Sequence, residues 1–308
     1  MTNDRPVNLP ASIRQRLLNL SVKRNEDPNL TLTRYALERL LYRLAHSEYA
    51  GQFILKGAML FAVWVESVHR PTRDLDLLGF GDASNERLTV IFQQFCSVEV
   101  EPDGLAFDAQ SVRVTEIREG QGYPGQRVKL SGMLGTARIP VQIDVGFGDA
   151  VTPQAIEIDY PTLLDLPAPH IRAYPPETVV AEKLQAMVVL GMQNSRMRDF
   201  YDLWIIARQF SFDGASLAAA VQATFKRRQT DIPNTIPMAL SEEFATDEHK
   251  IRQWNAFLAR SQLEGSDIEL SPVVDELRVF LMPVVNSLVT AEDFNLSWER
   301  GGPWAAKK

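Results

Sequence analysis

Apolar positions follow one period in the first third of this chain, a different one in the middle, and the first again to the end. Leu37, Leu40, Leu41 and Leu44 recur at i, i+3, i+4 and i+7, which predicts an amphipathic helix over about 33–48, with Thr31 or Thr33 as its N-cap. An earlier helix is predicted over 10–24, where Pro10 is tolerated in the first turn. Phe53, Ile54 and Leu55 read as a short strand, followed by Lys56-Gly57-Ala58 and a helical run to about Glu66. Residues 74–78 predict a strand and 84–97 a helix. The runs 98–101, 105–109, 111–117, 126–134 and 138–148 then read as strands, several of them separated by glycine-bearing turns. Beyond Pro161 strand signals fade, and helices are predicted over 175–190, 196–210, 213–228, 240–262 and 271–288.

The expected fold class is α+β, a mixed sheet in the front half and helices in the back half. The length of 308 residues suits about two domains, expected at 1–165 and 166–308 and joined near the proline-spotted segment 161–176. No repeat or low-complexity segment interrupts this plan.

Composition adds exclusions. With 45% hydrophobic and 23% charged residues, the chain has the make-up of a soluble globular protein. No apolar stretch approaches the roughly 18 residues that span a bilayer, so no membrane association is expected. The opening MTNDRPVNLPAS lacks a basic region followed by an apolar core, so no signal peptide is expected. Cys96 is the single cysteine, which rules out an intramolecular disulfide or a cysteine zinc site and fits a cytoplasmic location. None of His46, His69, His170 and His249 pair at metal-ligand spacing. The net charge of -7 argues against a dedicated nucleic-acid coat. Residues 1–50 nevertheless lean basic, with Arg14, Arg16, Lys23, Arg24, Arg34, Arg39 and Arg43, and Lys226-Arg227-Arg228 forms a second basic knot. A local basic face can hold a phosphate backbone, and Arg39 and Arg43, one helical turn apart, would present a joint surface, although each charge taken singly reads as a solvated helix face.

The candidate chemistry lies in acids. Asp74 and Asp76 stand two apart on a predicted strand, so both carboxylates point to one side. Two such groups held together repel and call for a counter-cation, and hard oxygen ligands suit Mg²⁺ or Mn²⁺. Alone, Asp-x-Asp is more often a solvated strand edge or turn. Upstream, the small residues of Lys56-Gly57-Ala58 would let backbone N–H groups approach a triphosphate, although an ordinary turn reads the same way. Asp144 sits between Ile143 and Val145 in a strand too apolar for a loop, where an acid costs desolvation unless paired or metal-bound, although an outward-facing strand residue reads the same way. A third carboxylate on a neighbouring strand is what two-metal phosphoryl transfer uses. In the back half, Val179, Val180, Leu184, Met187 and Val188 make an apolar helical face with Lys183 beside it, read either as a cation at a cleft rim or as a snorkelling surface lysine. Asp199 and Asp202 share one helix face, and Arg198 and Asp202 stand at salt-bridge spacing. Phe200, Leu203 and Trp204 read as core.

The order of glycine turn, Asp-x-Asp and later lone Asp resembles the polymerase-β nucleotidyltransferase core. Three blocks taken together, FILKGAMLFAVWVESVHRPTRDLDLLGFGD, RIPVQIDVGFGD and PPETVVAEKLQAMVVLGMQNSRMRDFYDLW, resemble the AbiEii-type (MenT-like) nucleotidyltransferase toxins of toxin–antitoxin systems over about residues 50–210. The resemblance implies a bilobed protein: a polymerase-β-like domain, then a helical domain, with the active site in the cleft between. It implies that Gly57, flanked by Lys56 and Ala58, lies in the nucleotide-phosphate turn. Asp74 and Asp76 would be the metal pair and Asp144 the third acid. Lys183 would hold the triphosphate, and Asp199 would be the essential acid of the last motif, with Arg198 and Asp202 beside it. It further implies an NTP substrate, transfer to the tRNA 3′ acceptor end and a cognate antitoxin. Two rival readings stand beside it: the same chemistry on a protein or small-molecule acceptor, which the net acidic charge favours, and an NTP-binding protein without transferase activity. Two positions depart from the family pattern: Ala58 replaces a frequent serine or glycine, and Gln142 replaces a lysine that some members carry two residues before the third acid.

Overall fold

The structure, a computed structural model, describes residues 8–65, 72–117, 125–261 and 268–307. It falls into two compact units: one runs to Gly148 and adds Ile156–Ala173, the other comprises Asp149–Ala155 and Tyr174 onward.

In the first unit, α1 (Leu9–Arg24) and α2 (Pro28–Ala45) precede β1 (Phe53–Lys56). The chain then makes a 3-10 turn over Gly57–Leu60 and the short α3 (Phe61–Trp64); Glu66, expected to end this run, lies outside the described residues. β2 (Asp74–Gly79), α4 (Asn85–Ser97), β3 (Leu105–Ile117), β4 (Gly125–Leu134), β5 (Ala137–Phe147), β6 (Ile156–Asp159) and β7 (His170–Ala173) follow. The seven strands form one mixed sheet in the order β3-β4-β5-β2-β1-β7-β6, with β2 parallel to β5 and antiparallel to β1. Leu75, Leu77, Val128, Leu130, Ile143 and Val145 are buried on one sheet face, the face on which α2 and α4 pack.

Several sequence expectations shift here. α2 starts five residues earlier than predicted because Asp27, not Thr31 or Thr33, caps it: its carboxylate accepts from Asn29 N at 2.9 Å, and Pro28 takes the first helical position. The run 98–101 is not a strand. The Glu101 side chain there accepts the Tyr42 hydroxyl of α2. The two predicted strands 105–109 and 111–117 are one strand with an irregularity between Asp108 and Arg113.

A larger correction concerns the basic N-terminal face. Arg39 and Arg43 are buried, 1% and 5% exposed, beneath α2. Arg43 donates to Asp103 Oδ2 at 2.7 Å and Oδ1 at 3.2 Å, and Arg39 Nε donates to the same carboxylate at 3.3 Å. Arg34 pairs with Glu26 at 3.1 Å. Arg39 and Arg43 therefore present no joint surface to RNA: folding satisfies them internally because a buried guanidinium without a carboxylate is prohibitively costly.

In the second unit, α5 (Pro176–Leu190), α6 (Met197–Gln209), α7 (Gly214–Arg227), α8 (Glu242–Thr246), α9 (Glu248–Ser261) and α10 (Leu270–Thr290) carry the core. A small sheet, β8 (Phe212–Asp213), β9 (Leu296–Trp298) and β10 (Trp304–Ala306), was not foreseen because its strands are only two or three residues long. The predicted single helix 240–262 is two helices, since Asp247 accepts from Lys250 N at 2.9 Å and opens a new one. Arg228, from the second basic knot, is tied to Asp149 at 3.1 Å and Glu182 at 3.2 Å.

Candidate active site

Strand register gathers the acids of the first unit. Lys56 of β1 is the Cα partner of Asp76 of β2, Asp76 that of Asp144 of β5, and Asp144 that of Arg127 of β4. Directly opposed strand residues share a face, so Lys56, Asp76, Asp144 and Arg127 form one row across four strands, on the side away from Leu75, Ile143 and Val128. A second row, two residues along, is Asp74, Gln142, Lys129. Asp74 and Asp76 thus share a face, and Asp144 lies beside Asp76.

Local contacts fix these groups. The Thr72 hydroxyl donates to Asp74 Oδ1 at 2.9 Å. Arg127 grips Asp144 with two parallel bonds, Nε to Oδ1 at 2.8 Å and Nη2 to Oδ2 at 2.7 Å. Gly57 has φ +72, and a Cβ there would meet Asp76 Cγ at 2.6 Å and Asp76 Cβ at 2.7 Å. Only glycine fits: the turn needs left-handed backbone, and the Asp76 carboxylate fills the space a side chain would take. The Asp76 carboxylate and the backbone of the Lys56-Gly57-Ala58 turn are therefore in direct apposition.

These groups suit a hard divalent cation. Among the described residues no cluster of three or more acidic, histidine or cysteine side chains is arranged to hold a metal, and Asp144 is engaged by Arg127. Mg²⁺ ordinarily takes one or two carboxylates and completes its shell with water and substrate phosphates, which the Asp74–Asp76 pair fits.

The second unit holds its own ionic centre. Lys183 of α5 donates to Asp199 Oδ1 at 2.6 Å and Asp202 Oδ2 at 2.8 Å, both on α6. Asp202 is fully buried, and the Lys183 and Asp199 side chains are 15% and 10% exposed. Lys183 is thus not a snorkelling surface lysine: two carboxylates one turn apart hold its ammonium. Arg198 is exposed, whereas Asp202 spends its charge on Lys183. Phe200, Leu203 and Trp204 are core, as expected. Two residues missed in the sequence hold the loop before α6: Asn194 Oδ1 accepts from Arg196 N at 2.9 Å, and buried Lys250 donates to the Asn194 carbonyl at 3.0 Å. Arg127 was missed too, although the alternation of 126–134 sets it on one face with Lys129.

The profile of the family described as "Nucleotidyl transferase AbiEii toxin, Type IV TA system" matches residues 39–278, well over half of the chain. The chain belongs to the AbiEii nucleotidyltransferase toxin family. It is accordingly a nucleotidyltransferase of a toxin–antitoxin family. No curated protein matches it. Two solved structures resemble it with a TM-score of 0.47 each. One is a candidate nucleotidyltransferase from H. pylori, 16% identical over 83% of this chain and 95% of that one. The other is JHP933 from Helicobacter pylori, 15% identical over 83% and 92%. The AbiEii match spans both ionic centres, Asp74–Asp76–Asp144 and Lys183–Asp199–Asp202. Among the described residues of this AbiEii chain, no helix is long and apolar enough to cross a membrane.

Proposed function

We propose that this AbiEii-family chain is a metal-dependent toxin that transfers a nucleoside monophosphate from an NTP to the 3′ acceptor end of tRNA, restrained by a cognate antitoxin. The observation that carries the reading is the Asp74–Asp76 pair, with Asp76 set against the Gly57 backbone turn and in register with Asp144.

In this reading the Gly57 turn lies along the triphosphate, with Lys56 and Ala58 beside it. Asp74 and Asp76 would hold Mg²⁺ or Mn²⁺, which would supply neutralising charge for the phosphates. The 3′ oxygen of the acceptor attacks the α-phosphorus, a phosphodiester forms, and the bond to pyrophosphate breaks. The hydroxyl proton passes to a carboxylate, Asp144 or Asp199. Lys183 offsets charge on the departing pyrophosphate, and Asp199 and Asp202 keep its ammonium oriented until then, with Arg198 a further cation of the same motif. Because Lys183, Asp199 and Asp202 are largely buried, the pairs among them are stronger than the same pairs in water.

The test is a labelling reaction with each α-labelled NTP in turn, purified tRNA and total protein, resolved on a sizing gel. A one- or few-nucleotide extension of tRNA that disappears when the 3′ end is blocked is the expected result. Label on a protein band with tRNA unchanged would instead assign a protein acceptor.

A further inference from the structure

The first unit contains a cavity of about 670 Å³ at the start of β2, outside the acidic row. Its polar lining includes Arg73, Lys129, Arg138, Ser111, Ser131 and Gln142, and among the described residues no acidic side chain lines it. On a chain of net charge -7, three cations around one cavity without a lining carboxylate make a local anion seat. Their charges are also available. Lys129 makes no hydrogen bond or ion pair among the described residues, and all three side chains are exposed. Arg138 Nε donates to Ser131 Oγ at 3.1 Å, which aims the guanidinium without neutralising it. Arg73 reaches Asp27 only at 3.6 Å, with both groups largely exposed, a pairing worth little.

Position ties this cavity to the candidate site. Arg73 directly precedes Asp74, and Gln142 is the Cα partner of Asp74. In the sheet, β2 lies between β5 and β1. The cavity is on the β5 side of the aspartate pair, while the Gly57 turn is on the β1 side. Two anionic substrates brought to one pair of aspartates repel each other, and cationic seats on opposite sides of the pair would offset that repulsion. Among the described residues the lining has no aromatic ring on which a base could stack, so it favours a sugar–phosphate backbone over a nucleobase.

We propose that this cavity seats backbone phosphate of the acceptor RNA, with Lys129 and Arg138 as its phosphate ligands. The proposal rests on the RNA-directed reading above and names the place where that acceptor is held. Each phosphate contact with a single strand contributes about 0.7 to the slope of log affinity against log salt, so losing two should flatten it by about 1.4.

The test compares wild type with Lys129→Gln/Arg138→Gln in tRNA labelling, measuring KM for tRNA and for NTP at several salt concentrations, with thermal unfolding as a folding control. We expect the KM for tRNA to rise at least about tenfold, since each charge-assisted contact is worth about that much, and the salt slope to flatten, with KM for NTP unchanged. The reversed-cation variant Lys129→Arg/Arg138→Lys should retain the wild-type slope. Wild-type KM and slope for tRNA in the double glutamine variant would overturn this proposal and leave the RNA reading intact. A raised KM for NTP alone would make the cavity a nucleotide seat and overturn it as well. If the wild type labels protein and never RNA, both readings fall together.

Discussion

The carboxylate of Asp76 stands where a side chain on Gly57 would have to be, with Cγ 2.6 Å from the position of a Cβ. Gly57→Ala must therefore strain a left-handed backbone and displace the Asp76 carboxylate at once. The strain alone costs about 1–3 kcal/mol. We expect a lowered thermal midpoint together with a loss of NTP labelling. In Gly57→Ala/Asp76→Gly the part of the loss due to the clash should return, the left-handed strain should remain, and no labelling should return. Full labelling by Gly57→Ala would show that Asp76 can vacate this position without loss.

Asp76→Ala should reduce nucleotidyl transfer roughly a thousandfold or more, several kcal/mol of transition-state stabilisation. The fold should persist, since one of two like charges on one strand face is removed. Single-turnover labelling, with circular dichroism as the folding control, reads both. Near wild-type labelling would remove the metal assignment.

Lys183 carries stability as well as its proposed chemistry, because Lys183→Ala leaves the buried carboxylates of Asp199 and Asp202 without it. A broken buried pair costs about 3–5 kcal/mol. Lys183→Met/Asp202→Asn should recover part of that cost and still fail to transfer nucleotide. A double variant that labels normally would reduce Lys183 to a structural ion.

Glu38 makes stability depend on pH. Burial pushes its carboxyl up to about 7, against the opposing pull of the Leu163 N–H and the Arg39 guanidinium. Between an unfolded value of 4.5 and the folded value, the unfolded chain has released this proton and the native chain still holds it. Stability from this group therefore falls as pH rises through that window and levels above it, by about 3 kcal/mol at most. Urea titrations at pH 5 to 8 should show Glu38→Gln with a flatter profile than wild type; identical slopes would assign the dependence elsewhere.

Arg43→Ala should behave as a core lesion. It strips the shortest partner from buried Asp103, and a loss of about 3–5 kcal/mol is expected. Its remaining folded fraction should bind tRNA as the wild type does. Weakened RNA binding at full stability would return α2 to the surface role that its arginines suggest.

The sequence alone determined what depends on near neighbours along the chain. The 3.6-residue and two-residue periods found α1, α2, α4 to α7, α10 and the long strands, because each element must turn one apolar face inward. The Asp-x-Asp spacing placed Asp74 and Asp76 on one face for the same local reason, and the three family blocks named the chemistry. Tertiary structure decided everything that depends on which strand lies beside which. Only the β1-β2-β5-β4 order sets Lys56, Asp76, Asp144 and Arg127 in one row, and only the turn at φ +72 shows that Asp76 fills the space beside Gly57. It also separated look-alike cations. Arg39 and Arg43 look like a basic helix face but sit over Asp103, while Lys129 and Arg138, unremarkable in sequence, line an open cavity. A charge's partner is fixed by distance in space, and for Asp103 and Arg43 that partner lies 60 residues away along the chain.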